Sequence, residues 1–164
     1  MSGPLRAMIA ACAAALALGL SLGGSSLEAK GRLDTIAKFH NANLELDVDT
    51  YFDPEQPAGD NKAGLLSTRN PPRQNSFAFN FPETKTLIGL WAKAAKAQSA
   101  TWKAIRTMTE IGTKDVSVLN VSAVRGVRFV ITSPEKGAVT YHLAAGDMAR
   151  FEKALYAVRD FLLK

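Results

Sequence analysis

The sequence contains almost no cysteine and little histidine. Its 164 residues include one cysteine, Cys12, and two histidines, His40 and His142. Because Cys12 lies in a leading apolar segment, the rest of the chain has no thiol for a disulfide or for nucleophilic catalysis. A domain of this size must therefore be stabilised by its hydrophobic core.

Beyond the leading segment, the sequence also lacks the motifs of common catalytic sites. It has no G-x-S-x-G elbow, no H-E-x-x-H, no P-loop and no G-x-G-x-x-G. A Ser-His-Asp triad that uses His142 stays open, because triads assemble in space and not in sequence. However, His142 alternates with Tyr141 and Leu143, which are expected to face inward, so it is expected to face outward. We therefore expect a protein that is not an enzyme and that has no cofactor and no metal site.

The first 29 residues have the outline of a secretory signal peptide. Met1 to Arg6 carries one positive charge, Ala7 to Leu22 is apolar and uncharged, and Gly23 to Ser26 offers small residues for cleavage. The apolar run is shorter than the ~20 residues of a permanent anchor. Ile9 to Cys12 resembles a lipobox, but the apolar run continues past the cysteine. We expect a secreted or periplasmic protein with no permanent membrane span after cleavage.

This interpretation predicts processing near Ser26 or Ala29. The measurement is the intact mass of the exported protein. A species that retains Met1 to Leu22 would instead indicate an anchor.

The remaining residues, 30–164, are predicted to form a single α+β domain. Strands are expected at Asn43 to Phe52, Asn75 to Phe81 and Val116 to Val124, where apolar residues alternate or run together. Residues 102–111 fit a strand or a helix, and their threonines and Gly112 favour a strand. Leu33, Ile36 and Ala37 favour a short helix within Leu27 to His40.

The last forty residues predict a hairpin followed by a C-terminal helix. Val127, Phe129 and Ile131 form one strand face, and Pro134 and Gly137 suit the turn. The helix is expected to begin at a capping Asp147. Its apolar stripe consists of Met148, Phe151, Leu155, Val158 and Leu162.

An earlier helix is expected to start at a capping Thr84. Leu87, Leu90, Trp91 and Ala94 form its apolar side. The fold prediction is therefore a mainly antiparallel sheet of two N-terminal strands plus a four-strand meander. Two helices cover one face of it.

Residues 53–74 are expected to form one long loop. They contain four prolines, Pro54, Pro57, Pro71 and Pro72, together with Gly59 and Gly64. A loop of this length is either functional or disordered.

Charge is divided unevenly along the chain. Lys30 to Asn61 has a net charge of −4, and Lys62 to Lys164 has a net charge of +9. In the acidic part, Glu45, Asp47 and Asp49 alternate along a strand. Their carboxylates are ~7 Å apart and diverge, which favours a solvated strand face over a hard-cation site or a contact for a basic partner.

The basic part places lysines opposite the apolar side of the earlier helix. The candidate binding residues for an anionic ligand are Lys85, Lys93, Lys96, Lys103 and Arg106. The leading expectation is a non-catalytic binding or interaction protein of the cell envelope or extracellular space, with a protein or envelope partner. The alternative is a binder of an anionic ligand or polymer, such as a lipid headgroup, a polysaccharide or a nucleic acid. The oligomeric state stays open.

Overall fold

The computed structural model describes residues 31–70, 73–96, 104–109, 118–123, 126–133 and 136–164. In these ranges, the chain forms strands, then a helix, then strands and a second helix. The strands are β1 Arg32–Asn41, β2 Leu44–Phe52, β3 Lys62–Asn70, β4 Arg73–Phe79, β5 Ala104–Thr109, β6 Val118–Ala123, β7 Val127–Ser133 and β8 Gly137–Leu143. The helices are α1 Phe81–Lys96 and α2 Met148–Leu163.

The strands form two antiparallel meanders. β1 to β4 make the first sheet and β5 to β8 make the second sheet, each in sequence order. Each sheet is followed by one helix, so the element order ββββα occurs twice. The predicted α+β class, the antiparallel pairing and the C-terminal helix are confirmed.

Each helix packs mainly on the sheet of the other unit. α2 contacts β1, β2 and β3, whereas α1 contacts β5 and β6, and the two helices contact each other. β8 touches all four strands of the first sheet and therefore runs across them. The two units share one continuous core.

Aromatic rings fill the centre of this core. The Phe151 ring of α2 lies 4.7 Å from Trp91 of α1, 4.9 Å from Phe129 of β7 and 5.7 Å from Phe39 of β1, measured between ring centroids. All four side chains are buried. The predicted stripe of α2 is confirmed, since Phe151, Leu155 and Val158 are buried and Met148 and Leu162 pack against the core.

The number of N-terminal strands differs from the prediction. Four strands, and not two, precede α1, and they form a sheet of their own. The predicted helix before residue 41 is wrong, because Arg32–Asn41 pairs with β2 as a strand. A register shift between Thr35 and Ala37 interrupts the alternation of this strand and hides its period in the sequence.

The predicted loop at 53–74 is wrong for Lys62–Asn70, which is β3, and for residues 73 and 74, which begin β4. This strand lies between β2 and β4, and residues Ala63 to Thr68 are all buried. A strand buried on both faces has no polar alternation to mark it. Only 53–61 connects β2 to β3 in this region, and the Asp53 amide donates to the Asn61 carbonyl across its base at 2.9 Å.

The start of α1 also differs from the prediction. The helix begins at Phe81, and Thr84 is its fourth residue. The Glu83 amide donates to Asn80 Oδ1 at 3.0 Å, while the Asn80 amide donates to Glu83 Oε2 at 2.9 Å. This reciprocal pair is a capping box, so Asn80 is the cap.

The predicted cap of α2 has the right position but not the expected hydrogen bond. Asp147 precedes the helix, and its side chain makes no capping hydrogen bond. Its Oδ1 lies 3.2 Å from Arg150 Nη2.

The predicted strand within 102–111 is confirmed for Ala104–Thr109.

Candidate functional site

One exposed side of α1 carries three of the predicted binding residues. Lys85, Lys93 and Lys96 are all exposed. Since a helix advances by about 100° and 1.5 Å per residue, they fall within about 80° of the helix circumference and span about 16 Å. We call these three residues the lysine face.

The opposite side of α1 holds the lysine face in place. Leu87, Leu90, Trp91 and Ala94 are buried, as predicted, so the orientation of the helix is fixed by the core. At the first end, Lys85 Nζ lies 4.5 Å from the centroid of the Phe81 ring. At the other end, Lys93 and Lys96 lie in the last turn, where the helix dipole favours positive charge.

No acidic side chain shares this side of the helix. The only acidic residue of α1 is Glu83, which is half-buried and bound to the Asn80 amide. Burial raises the pKa of Glu83, although the hydrogen bond from Asn80 lowers it. Among the ion pairs between described residues, none involves the lysine face.

The other two predicted binding residues, Lys103 and Arg106, are not part of the lysine face. Lys103 lies outside the described residues. Arg106 belongs to β5, where its backbone pairs with Val121 of β6, and α1 contacts both strands. Arg106 is therefore in a strand next to the helix that carries the lysine face.

The acidic ladder of β2 does not form the solvated face that the sequence predicted. Asp47 is 7% exposed and Asp49 is 3% exposed. β2 is an inner strand, so neighbours on β1 and β3 flank both carboxylates. We call this side, which faces away from the core cluster, the outer face of the first sheet.

The two buried carboxylates are incompletely paired. Asp47 Oδ2 lies 3.9 Å from Lys38 Nζ, and the Thr35 side chain hydrogen-bonds to Asp49. The Oδ1 atoms of both aspartates have no hydrogen-bond partner in the part of the chain that the structure describes. Burial raises the pKa of Asp47, and it raises the pKa of Asp49 to about 6.

His142 lies on the second sheet, where Arg128 of β7 pairs with it. Its side chain is half-buried on the face opposite Tyr141 and Leu143.

In the described ranges, no three His, Cys, Asp or Glu residues are placed to hold a metal ion. Neither helix of those ranges combines the length and the apolar character that a membrane crossing requires.

Neither a comparison with protein-family models nor a comparison with curated protein sequences finds a match for this chain. The geometry of the chain itself is therefore the basis for any statement about its function. The lysine face combines three exposed positive charges with no exposed acidic residue on the same helix.

Proposed function

We propose that the chain is a non-catalytic binding domain of the cell envelope or extracellular space that engages an anionic polymer through the lysine face of α1. The observation that supports this proposal is the exposure of Lys85, Lys93 and Lys96 on one side of a helix with no acidic neighbour on that side. Three ammonium groups along about 16 Å match a ligand that repeats its negative charges, such as an acidic polysaccharide.

The surroundings of the lysine face suit reversible contact. The other exposed residues of α1 are Pro82, Gly89, Ala92 and Ala95. A side chain added at Gly89 would meet no atom within 4 Å, so no described residue obstructs the centre of this surface. A large ligand can therefore approach the ammonium groups directly.

Changing Lys85, Lys93 and Lys96 together to Glu is expected to abolish retention on a sulfated polysaccharide column. The six-unit change in charge is concentrated on one face, where attraction becomes repulsion. Retention of the unchanged protein should fall as salt rises, since the Debye length is ~8 Å at physiological ionic strength. The melting temperature should change little, because exposed substitutions usually alter stability by less than about 0.5 kcal/mol each.

A matched control separates the lysine face from net charge. Lys136, Lys153 and Lys164 are also exposed and lie outside α1. Their joint change to Glu alters net charge equally and should leave most of the retention intact. Equal losses in the two triple variants would contradict a local binding surface, and undiminished retention of the α1 variant would contradict the proposed function.

A further inference from the structure

The edge strand β1 consists of two halves that are held very differently. The second half, Lys38–Asn41, is anchored at three points. The Phe39 ring is fully buried in the core. Arg150 Nη2 donates to the Lys38 carbonyl at 2.9 Å, and Asn41 Nδ2 donates to the His142 carbonyl at 3.3 Å.

The first half, Arg32–Ile36, has no buried side chain. Its backbone pairs with β2, and its Asp34 carbonyl also accepts a 3.3 Å hydrogen bond from Thr50 Oγ1 of that strand. Leu33 and Ile36 are 41% and 39% exposed. The register shift between Thr35 and Ala37 separates this weakly held half from the anchored half.

The weakly held half lies beside a buried carboxylate. Thr35 stands opposite Asp49 in the β1–β2 register and hydrogen-bonds to it, and Leu33 stands opposite Tyr51. The Gly31 backbone packs so closely on the Tyr51 ring that no Cβ would fit there. Asp49 is nevertheless left with one buried oxygen, Oδ1, that has no partner in the described part of the chain.

The charges around Asp49 do not neutralise it. Among the described residues, the other charged or titratable groups on the outer face are Lys38 and His40 from β1, Glu45, Asp47 and Tyr51 from β2, and Arg69 from β3. β4 contributes the uncharged Gln74, Ser76 and Ala78. Lys38 approaches Asp47, and Arg69 and His40 approach Glu45, at 3.4–3.9 Å. The charges of Lys38 and Arg69 are thus already shared with other carboxylates.

We propose that Arg32–Ile36 is a strap that opens at the β1 bulge when the Asp49 carboxyl group loses its proton. With the proton bound, the group is neutral and tolerates burial. Without it, the charge is shared by a buried oxygen, Oδ1, that has no donor among the described residues, and the least costly remedy is to displace the half-strand that has no buried anchor. Opening hydrates Asp49 and leaves the backbone edge of β2 without its partner strand.

The direction of the pH effect follows from the two states of the strap. Burial raises the pKa of Asp49 to about 6 in the closed state, from an ordinary value of 3.8 when hydrated. The closed state therefore binds the proton more tightly, and it loses stability as pH rises through the closed-state pKa. Between about pH 5 and about pH 7.5, this difference shifts the closed-to-open ratio by about tenfold.

The test is amide hydrogen exchange, expressed as protection relative to the intrinsic rate at each pH. The amides of Arg32–Ile36 that bond to β2 should lose about tenfold in protection between about pH 5 and about pH 7.5. The amides of Phe39 to Asn41 should keep theirs. Asp49→Asn, which mimics the neutral acid, should remove the pH dependence, whereas Asp34→Asn on the strap itself should retain it.

Three outcomes would overturn the proposal. They are protection of the strap that does not vary with pH, equal loss in both halves of β1, or a pH dependence that persists in Asp49→Asn. If Asp49→Asn does not fold, titration of the Asp49 carboxyl carbon by NMR in the unchanged protein replaces it. A midpoint near 4 would then reject the strap, and a midpoint near 6 that coincides with the loss of protection would support it.

Discussion

Replacing Phe151 with alanine is expected to lower the free energy of unfolding by about 3–5 kcal/mol, the usual cost of removing a buried phenylalanine ring. This ring contacts Phe39, Trp91 and Phe129, which belong to β1, α1 and β7. The substitution therefore leaves a cavity where both sheets and both helices meet. Since natural domains are stable by only about 5–15 kcal/mol, the variant should be marginally folded.

The measurement is denaturant unfolding of the two variants Phe151→Ala and Lys153→Ala. Lys153 is exposed on the same helix and is a better control than Glu152, which is half-buried. Lys153→Ala should change stability by less than about 0.5 kcal/mol. Equal effects of the two substitutions would mean that α2 does not present Phe151 to the core.

Replacing Asn75 with alanine is expected to cost about 2–4 kcal/mol. Asn75 is 3% exposed, and its Nδ2 donates to the Ile131 carbonyl at 2.8 Å and to the Gly137 carbonyl at 2.7 Å. These bonds join β4 of the first sheet to the β7–β8 hairpin of the second. Removal of the buried bond to Ile131 leaves a carbonyl oxygen without this donor, which costs about 1–3 kcal/mol, and loss of the partly buried bond to Gly137 adds about 0.5–1.5 kcal/mol.

Two comparisons isolate the contribution of this amide. Asn75→Asp keeps the size but replaces the donor with an oxygen that faces two carbonyl groups, so it should destabilise at least as much as alanine. Asn70→Ala removes an exposed side chain of the same type from β3 and should be nearly neutral. If Asn75→Ala proved as mild as Asn70→Ala in thermal or denaturant unfolding, the inter-sheet bonds would not contribute to stability.

The sequence best predicts those elements in which apolar residues recur at one regular spacing. In the β7–β8 hairpin, Val127, Phe129 and Ile131 alternate with less buried residues, and Gly137 has the positive φ of 74° that suits the end of the turn. The stripe of α2 repeats at threes and fours for the same reason, because only one side of it meets the core. Periodicity is informative when an element has one buried side.

The parts that sequence reasoning missed are those without such a period. β3 is buried on both faces, and β1 has a bulge and only one fully buried side chain, Phe39. The missing strands also explain the error about the acidic ladder. A carboxylate on an edge strand is solvated, but Asp47 and Asp49 lie on an inner strand between β1 and β3.

The three residues of the lysine face were predicted from the sequence, whereas the strap was not. Lys85, Lys93 and Lys96 follow from helical geometry, since the apolar side of α1 determines which side is exposed. The strap could not be predicted, because it depends on the pairing of Thr35 with Asp49 across two strands. The sequence does show that acidic residues alternate along β2. Their burial would have followed only from knowing that β2 pairs with a strand on each side.

The exchange of helices between the two sheets has a consequence for the order of folding during synthesis. The first sheet is made early, but its inner face is covered by α2 and crossed by β8, and both elements follow it in the chain. Until β8 and Met148–Leu163 have both been made, that apolar face is without these two partners, and a nascent chain that ends before them is prone to aggregate or to bind a chaperone. The first sheet therefore reaches its final packing only after Met148–Leu163 has been synthesised.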